Sequence, residues 1–445
     1  MKKYGVLLFF LLMSGFSVSY ASPKIYDLNE TIEIAVKNNY DLQLTGAQIS
    51  TATSGLRAAF GSYLPSIGFS AGYNRQLNPQ GSKNMIINGI VFNIPGSDPN
   101  SFSMGANAGL TLFDGFSREA QYASAKEKLK ASGYTERYTT QYVVYQSYLL
   151  YTNLIRNWQI VKVRRENLNQ GRAELEQIKA RFDAGIIAID AVYTQEADLG
   201  NRESQLIEAE NEFNKSKSML LSLMGFDPTL ECEFLESSLP TEIKPENVSY
   251  FRSTIGSFPQ AVARSLENRY DYKATESNIV IAREGVRQAY SSYSPNLSAS
   301  LGWNWQNTKM TGLDSLSRWY AGISLQIPIF SNFQPNNYVQ QAKLQLTEQE
   351  INQKKAEQSL KQAIQNAFLN LGAAEKQIDV TARSVVSAKQ NYESMKEKFN
   401  VGTASTTELT LANSQLIAAQ INAVNAVYGY IFAQKEVLFS IGDIK

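Results

Sequence analysis

The residue types that carry most enzyme chemistry are sparse in this chain. Histidine is absent and there is one cysteine, Cys232. A Ser-His-Asp arrangement is therefore impossible, and the commonest zinc ligand is missing. The sequence contains no Gly-x-x-x-x-Gly-Lys phosphate loop, and its carboxylates and lysines are not clustered. We therefore expect no catalytic, cofactor-binding or metal-binding residues, and a barrel enzyme such as a lipid hydrolase is disfavoured.

The residues of interest are instead two carboxylates beside sharp turns. Each turn follows a Phe-x-x-Gly pattern, which ends at Gly185 in one case and at Gly402 in the other. Glycine readily adopts the left-handed conformation that ends many helices. Asp190 and Glu408 then fall in the first turn of the next helix, where the helix dipole favours a carboxylate. The candidate caps of the second of these helices are Thr406 and Thr407.

Long helices lead into both turns. Residues 116–182 and 336–399 contain no proline, and a helix of about 65 residues is about 100 Å long at 1.5 Å per residue. Apolar residues recur every seventh position before and after each turn, which is typical of helices packed at a shallow angle. The apolar series are Leu154, Val161, Leu168, Leu175, Phe182; Val192, Leu199, Leu206, Phe213, Leu220; Ile364, Leu371, Ile378, Val385, Tyr392, Phe399; and Leu409, Leu416, Ala423, Tyr430, Val437.

The pairing register of each hairpin can be read from the numbering. Two antiparallel helices pair residues whose numbers have a constant sum, and the apolar series obey this rule in both hairpins. A charge ladder obeys it in the first hairpin, and charges beside an apolar seam set register. Alanines recur every seventh residue in the last helix and predict a narrow packing face. The ladder pairs Lys179 with Glu196, Arg172 with Glu203, and Arg165 with Glu210; the alanines are Ala412, Ala419, Ala426 and Ala433.

Four other segments alternate between apolar and small polar residues. They lie near residues 65–76, 101–113, 295–306 and 318–330. Segments of about ten residues with this alternation are typical of transmembrane barrel strands, although a soluble sandwich shows the same pattern. Aromatic residues near the ends of these segments suit the level of the lipid headgroups, namely Tyr63, Tyr73, Trp303, Trp305 and Trp319. Known outer-membrane barrels need at least about eight strands. Four strands per chain therefore predict that several chains share one barrel, with eight strands from a dimer or twelve from a trimer.

The chain repeats itself. The segment at Asn38-Asn39-Tyr40-Asp41 matches Asn268-Arg269-Tyr270-Asp271, and later matches keep the same order. Each copy reads as helix, strand, loop, strand, very long helix, turn and long helix. The first copy has a longer loop at 77–100, rich in Gly, Pro, Asn and Ser. The expected domains are a signal peptide at 1–21, a first repeat at 22–225 with its hairpin at 116–225, a linker or equatorial region at 226–257, and a second repeat at 258–445 with its hairpin at 334–440.

The N-terminus is typical of a secretory signal. Lys2 and Lys3 precede an apolar stretch, and small residues predict cleavage after Ala21. No later segment has the roughly 18 consecutive apolar residues of a transmembrane helix, so a membrane-embedded mature chain would use β-strands. The net charge is +1, which argues against a nucleic-acid partner.

Taken together, these residues resemble the TolC family of outer-membrane efflux proteins. The resemblance rests on the repeated layout, the Tyr-x-Pro entry to each first strand, the exit segment 112–116 and the Phe-x-x-Gly turns. It implies an α+β membrane protein whose homotrimer shares one 12-stranded barrel in outer-membrane lipid. It also implies a periplasmic tunnel of helical hairpins. The implied partners are a periplasmic adaptor, or membrane fusion, protein and an inner-membrane RND or ABC-type transporter.

The resemblance also assigns functional residues. It implies adaptor docking at the two glycine turns and a periplasmic gate lined by acidic residues. Glu408 matches one acidic gate position of the family. The second acidic position of the same hairpin is occupied here by Leu411. Asp190 lies one residue from the corresponding acidic position in the first hairpin. We expect a passive channel of tripartite efflux or type I secretion; the alternative is a soluble periplasmic coiled-coil structural protein. The docking residues are Ala184, Gly185, Ile186, Val401, Gly402 and Thr403.

Overall fold

The computed structural model describes residues 24–444, so the predicted signal peptide lies outside the described residues. Groups of helices and groups of strands follow one another along the described chain, and the helices range from 11 to 67 residues. The helices are α1 (Leu28–Asn38), α2 (Tyr40–Gly61), α3 (Ser117–Asp183), α4 (Ile189–Leu223), α5 (Pro245–Ile255), α6 (Phe258–Asn268), α7 (Tyr270–Tyr290), α8 (Gln334–Asn400) and α9 (Thr406–Ser440). The strands are β1 (Ile25–Tyr26), β2 (Ser66–Arg75), β3 (Lys83–Ile87), β4 (Ile90–Ile94), β5 (Asn100–Phe113), β6 (Glu233–Phe234), β7 (Asn296–Asn307) and β8 (Ser317–Gln326).

The chain divides into two compact units, and each unit draws on separate stretches of sequence. One unit, here called the tip unit, contains the residues up to Lys37 together with Gln146–Ile243 and Ile378–Gly429. It holds both hairpin turns. The other, here called the strand unit, contains Asn38–Tyr145, Lys244–Gln377 and the residues from Tyr430 onward. It holds the strands β2, β3, β4, β5, β7 and β8.

The strand unit contains a four-stranded antiparallel sheet in the order β2-β5-β7-β8. Aromatic residues lie opposite one another near one end, where Tyr73 pairs with Phe102 and Trp303 pairs with Trp319. The apolar face is open in the single chain, and Ile67 is 81% exposed. Within the described residues, β2 and β8 each have a neighbouring strand on one side only. The sheet therefore has two free edges and one uncovered apolar face.

Two details of the strand unit differ from the sequence-based expectation. The stretch 77–100 was expected to be a loop, but it contains the hairpin β3–β4, whose turn residues Asn88 and Gly89 have φ values of 50° and 80°. Asn-Gly is the dipeptide that favours such tight hairpins. Trp305 was expected near the lipid headgroups with the other aromatic residues. Its side chain is 1% exposed and its indole N–H donates to the Gly312 carbonyl at 3.1 Å, so it anchors the β7–β8 loop instead.

Helices close the core of the strand unit through apolar and aromatic contacts. The rings of Tyr145 and Phe439 stack with centroids 4.5 Å apart. Arg252 forms a two-pronged ion pair with the carboxylate of Glu375, at 2.8 and 2.9 Å. A fork-to-fork contact of this kind fixes geometry as well as charge. A small apolar cluster lies nearby in the same unit and consists of Ala261, Leu360, Ile364 and Ile441.

In the tip unit, α3 and α4 pair with the register that the numbering predicts. All three predicted ion pairs form and the prediction is confirmed: Lys179 to Glu196 at 2.7 Å, Arg172 to Glu203 at 3.5 Å, and Arg165 to Glu210 at 2.8 Å. The alanine series of α9 is also buried as expected, with exposures of 2%, 5%, 3% and 4% in chain order. Phe182 departs from its apolar series because it lies next to the turn and is 38% exposed.

Helix α9 is long and apolar enough to cross a membrane, judged by length and composition alone. In the described structure 44% of its most apolar 18-residue window is buried. Leu409, Leu416 and Val437 lie on its buried side. Packing against neighbouring helices accounts for this composition, because a helix enclosed by other helices is apolar around much of its circumference.

The stretch between the two halves of the chain is fastened to the N-terminus in the tip unit. Strand β6 pairs in parallel with β1, and Ile25 lies opposite Glu233. The hydroxyl of Tyr151 on α3 donates to the Leu235 carbonyl at 2.7 Å and lies 3.2 Å from the Ser238 hydroxyl. The segment expected to be a linker is therefore held against α3 by short strands and a buried tyrosine.

Candidate gate and docking turns

The first hairpin turns through a glycine-terminated helix end. Gly185 has a φ of 72°, and its N–H donates to the Phe182 carbonyl at 2.8 Å. The N–H of Ile186 reaches back to the Arg181 carbonyl at 2.9 Å. These bonds satisfy carbonyls that the end of α3 would otherwise leave unpaired. Ala184, Gly185 and Ile186 are all exposed, and the Ile186 side chain is 71% exposed.

The second hairpin repeats this geometry. Gly402 has a φ of 80°, and its N–H donates to the Phe399 carbonyl at 3.1 Å. The N–H of Thr403 donates to the Lys398 carbonyl at 2.9 Å. Val401, Gly402 and Thr403 are exposed. Both predicted docking segments are therefore short, well-formed turns that present small or apolar side chains to solvent.

The cap of α9 is Ser405, and the prediction of Thr406 or Thr407 was wrong. The Ser405 hydroxyl accepts from the Glu408 N–H at 3.3 Å, and the Glu408 carboxylate accepts from the Ser405 N–H at 2.8 Å. This reciprocal pair is a capping box. The turn needs the residues through Ala404 to complete its bonds, so the helix starts at Thr406 and places the cap one residue earlier than expected.

The same contacts act on the charge of Glu408. Hydrogen bonds from the backbone N–H of Ser405, and then from its hydroxyl, lower the pKa of the Glu408 carboxyl. Lys398 lowers it further by its positive charge. Glu408 is exposed and remains a carboxylate at neutral pH. Each chain thus presents one fixed negative charge at the start of α9.

The other predicted gate position, Asp190, lies in the first turn of α4. The N-cap position of that helix is occupied by Ala188, which makes no side-chain capping bond. Asp190 lies two residues further along, inside the helix, and is therefore not the N-cap. Asp190 and Leu411 are both exposed, Leu411 to the extent of 60%. The structure thus places Asp190 and Glu408 in the first turns of two different helices, each just after a glycine turn.

Arg181 joins the two turns, a contact that the sequence alone did not predict. Its guanidinium donates to the Phe399 carbonyl at 3.0 Å and to the Asn400 carbonyl at 3.1 Å. It also lies over the Phe399 ring at 4.9 Å. A cation at the C-terminal end of a helix satisfies free carbonyls and complements the helix dipole. The end of α8 is therefore capped by a side chain from the other hairpin.

An apolar cluster lies behind the turns and connects the two hairpins. Each of the four long helices contributes at least one side chain to it. Burial of these side chains stabilises the folded state by about 25 cal/mol per Å² of apolar area removed from water. The buried members are Ile178, Val192, Tyr392, Phe399, Leu409, Ala412 and Leu416.

Beside this cluster lies a buried ionic cluster centred on Arg202. The Arg202 side chain is 3% exposed and contacts Glu174 at 2.9 Å and Asp198 at 2.6 Å. It also donates to the Asn167 carbonyl at 3.0 Å. The Tyr392 hydroxyl donates to the second oxygen of Glu174 at 2.8 Å. Charged side chains of α3 and α4 and one hydroxyl of α8 thus meet in one buried site of low dielectric constant.

The side chain of Tyr392 lies in this buried site and is 6% exposed. Burial is the main cause that raises the pKa of the Tyr392 hydroxyl, and the negative charge of Glu174 raises it further. Gln170 also hydrogen bonds to the hydroxyl. The phenol therefore stays protonated and donates to Glu174 throughout the physiological pH range.

A glycine in the C-terminal part of α3 makes room for the buried arginine. A Cβ at Gly171 would lie 2.9 Å from both Cδ and Nη1 of Arg202. No real Cβ tolerates such a contact, so any larger residue would displace the arginine. The sequence carried a signal for this site, because Arg202 follows Leu199 by three residues and so falls on the seam of α4. A charged residue at a seam position predicts a buried polar contact, although it does not identify the partner.

The sequence model of a family described as outer membrane efflux protein matches residues 31–226 and 261–443. The outer membrane protein TolC of Escherichia coli is 22% identical over 462 residues, which cover 100% of this chain and 87% of that protein. The outer membrane efflux protein BepC of Brucella suis is 22% identical over 433 residues, covering 97% of this chain and 89% of that protein.

Solved structures show the same fold. The outer membrane channel CmeC of Campylobacter jejuni superposes with a TM-score of 0.76 at 21% identity, covering 94% of this chain and 85% of that one. The open state of the MtrE outer membrane channel of Neisseria gonorrhoeae superposes with a TM-score of 0.73 at 16% identity, covering 94% of this chain and 89% of that one.

Proposed function

Because the chain belongs to the outer membrane efflux protein family, we propose that three copies form a single export duct across the outer membrane. The chain is an outer-membrane efflux channel with its helical hairpins in the periplasm. Members of the family are transport conduits rather than enzymes, and the alternative of a soluble coiled-coil protein is not favoured. In the proposed trimer, the internal repeat supplies two similar hairpins per chain, and the strands of three chains close one 12-stranded barrel.

The observation that carries this proposal is the four-stranded sheet with two free edges. In lipid every backbone N–H and C=O group must be paired, so an open sheet edge cannot persist there. Strands β2 and β8 run in opposite directions because each adjacent pair in the sheet is antiparallel. The β8 edge of one copy can therefore pair in an antiparallel manner with the β2 edge of the next. Identical copies close into a ring by this contact, and the number three follows from the family resemblance.

Disulfide cross-linking tests the closure and its number together. We would place a cysteine on β2 (Ala71→Cys) and a second on β8 (Ala321→Cys or Ile323→Cys, to sample the register), in a Cys232→Ser background. Oxidation should give a covalent ladder that ends at three chains. The matched control replaces the β8 cysteine with Ala299→Cys on the central strand β7, which should give no ladder. A ladder ending at two chains would contradict the trimer, and no ladder at any register would contradict the shared barrel.

We further propose that Glu408 forms a ring of carboxylates, one per chain, at the periplasmic entrance, with Asp190 nearby. This proposal is supported by the exposed, ionised carboxylate in the first turn of α9. A ring of like charges in a narrow opening attracts cations and repels anions. Leu411 stands where a second acidic residue would be expected, so the ring carries one charge per chain from this helix.

Planar-bilayer recordings test the ring. Glu408→Gln removes the charge but keeps an acceptor for the Ser405 N–H, so the capping box survives. We expect cation selectivity and divalent-cation block to fall in this variant. The control is Glu397→Gln, which removes another exposed carboxylate near the turn. Unchanged selectivity and block in Glu408→Gln would refute the role of Glu408.

The two glycine turns are the proposed docking sites for a periplasmic adaptor, which connects the duct to an inner-membrane RND or ABC-type transporter. Ile186 and Val401 are 71% and 73% exposed and offer apolar contacts. We expect Ile186→Glu or Val401→Glu to weaken adaptor binding in a pull-down with the adaptor of the same cell. Ile207→Glu is the matched control, since Ile207 is 66% exposed on α4 but remote from the turn in sequence. Equal loss in all three variants would contradict docking at the turns.

A further inference from the structure

The hairpin β3–β4 is an apolar ribbon at the end of the sheet that is remote from the helices. Its stem continues the β2–β5 pair: the Gln76 N–H donates to the Pro99 carbonyl at 2.7 Å, and the Ser97 N–H donates to the Gln80 carbonyl at 3.0 Å. Helix α2 precedes β2 and helix α3 follows β5, so both helices join the sheet at the end that lies away from the hairpin. Since the helices of this family lie in the periplasm, the hairpin lies on the outer side of the membrane.

The hairpin is apolar on both faces near its turn. Met85 pairs with Phe92 and Ile87 pairs with Ile90 on one face, while Ile86 pairs with Val91 on the other. All six side chains are exposed, with values of 49–68%. The only charged residue in the two strands is Lys83. A lone two-stranded hairpin is marginally stable in water, and exposed apolar residues on two faces mark a surface that another molecule covers.

Lipid is not the molecule that covers the apolar faces of this hairpin. The stem that separates it from the apolar face of β2 is mostly polar and exposed, and includes Asn78, Gln80 and Asp98. The ribbon also has two free edges, because β3 and β4 pair only with each other among the described strands. Free edges are excluded from the hydrocarbon region because their backbone groups would lose their hydrogen bonds. The cover must therefore be protein, and it must reach both faces.

Identical copies of the chain meet these requirements. Copies that share one barrel bring their β3–β4 hairpins to the same end of that barrel, around one axis. Each hairpin then has a neighbour on either side, so both of its apolar faces can be buried. A single partner bound at one face would leave the other apolar face in water.

We propose that the β3–β4 hairpins of neighbouring copies pack against one another over the outer mouth of the barrel and form an apolar constriction there. This proposal rests on the shared barrel proposed above. The duct then narrows at both ends, through charge at the periplasmic turns and through apolar contact at the outer mouth. Apolar constrictions restrict the passage of water and ions by dewetting. Cargo that leaves the duct must push the hairpins apart.

Entry of a thiol reagent from the outer side tests the constriction independently of the periplasmic entrance. Ser103→Cys, in a Cys232→Ser background, places a thiol on the small polar face of β5, and intact cells are treated with a bulky polyethylene-glycol maleimide. Deletion of residues 83–94, or the single change Ile87→Lys, should accelerate labelling at least about tenfold by opening the mouth. Asn84→Lys is the matched control: it adds the same charge to the polar end of the hairpin and should leave labelling slow.

Cross-linking gives a second readout. Ile87→Cys should form disulfides between copies on oxidation, whereas Asn78→Cys in the stem should not. The β2–β8 cross-links should still form in the deletion variant, because the barrel does not need the hairpin. Loss of those cross-links in the parent protein would refute the shared barrel. If they persist while neither labelling nor the Ile87→Cys disulfide behaves as expected, the constriction alone is refuted, and another partner or free solvent covers the hairpin.

Discussion

The most informative substitution is Arg202→Met in the buried ionic cluster. Arg202 is 3% exposed and is the cation between Glu174 and Asp198, at 2.9 and 2.6 Å. Methionine keeps the unbranched length but removes the charge and the donors. Two carboxylates would then remain in a poorly solvated site without a counter-charge. Removing one partner of a buried ion pair typically costs about 3–5 kcal/mol, so the local packing of α3, α4 and α8 should open far more readily.

Amide hydrogen exchange measured by mass spectrometry reports this opening segment by segment. Each 1.4 kcal/mol changes an equilibrium about tenfold, so a loss of about 3 kcal/mol should raise exchange at least about a hundredfold. The effect should be confined to peptides within residues 165–210 and 385–420. Peptides from the sheet around β7 should exchange as in the parent protein, because they belong to the other compact unit.

Arg172→Met is the matched control. Arg172 also pairs with a glutamate across the α3–α4 seam, at 3.5 Å, but both side chains are about half exposed. Exposed pairs contribute at most about 1 kcal/mol, so exchange should rise less than about tenfold. Equal effects of the two substitutions would refute the reasoning, because the buried cluster would then be no stronger than a surface pair. Adding Glu174→Gln and Asp198→Asn to Arg202→Met should restore part of the protection by removing the unpaired charges.

Three further predictions concern single positions. Gly171→Ala should lower the thermal unfolding temperature despite the better helix propensity of alanine, because its Cβ would lie 2.9 Å from Arg202; Gly200→Ala, with nothing within 4 Å, should leave the temperature unchanged or raise it. Ser405→Ala should cost about 1 kcal/mol in the first turn of α9, whereas Thr406→Ala should cost little, as measured by exchange of the amides of the first turn. Hydrogen bonds from Ser405 lower the pKa of the Glu408 carboxyl in the folded protein. The Glu408 carboxylate therefore stabilises that turn fully above the pKa that this carboxyl has in the unfolded chain, and the stabilisation disappears as the pH falls through the lower pKa of the folded protein. Fraying of the turn that began near neutral pH would contradict this assignment.

The one-dimensional features of this protein can be read from the sequence. The helices α3 and α8 follow from proline-free heptads, and the register of the first hairpin follows from the numbering of three charged pairs. The turns at Gly185 and Gly402 follow from the requirement for a left-handed residue at a helix end. These features depend on residues close in sequence, or on a regular repeat that extends local geometry over a long distance.

Other features needed the tertiary structure, because they depend on which side chains meet. The sequence placed the cap of α9 at Thr406 or Thr407, but the length of the preceding turn moved it to Ser405. It offered Trp305 to the membrane surface, but the fold of the β7–β8 loop buried that side chain. Nothing in the sequence indicated that Arg181 contacts the other hairpin, and the seam position of Arg202 indicated a buried polar contact without identifying its partners. Periodicity determines which face of a helix is buried, whereas the partners of a charge on that face depend on how neighbouring helices are rotated and shifted, and only the packed structure decides this.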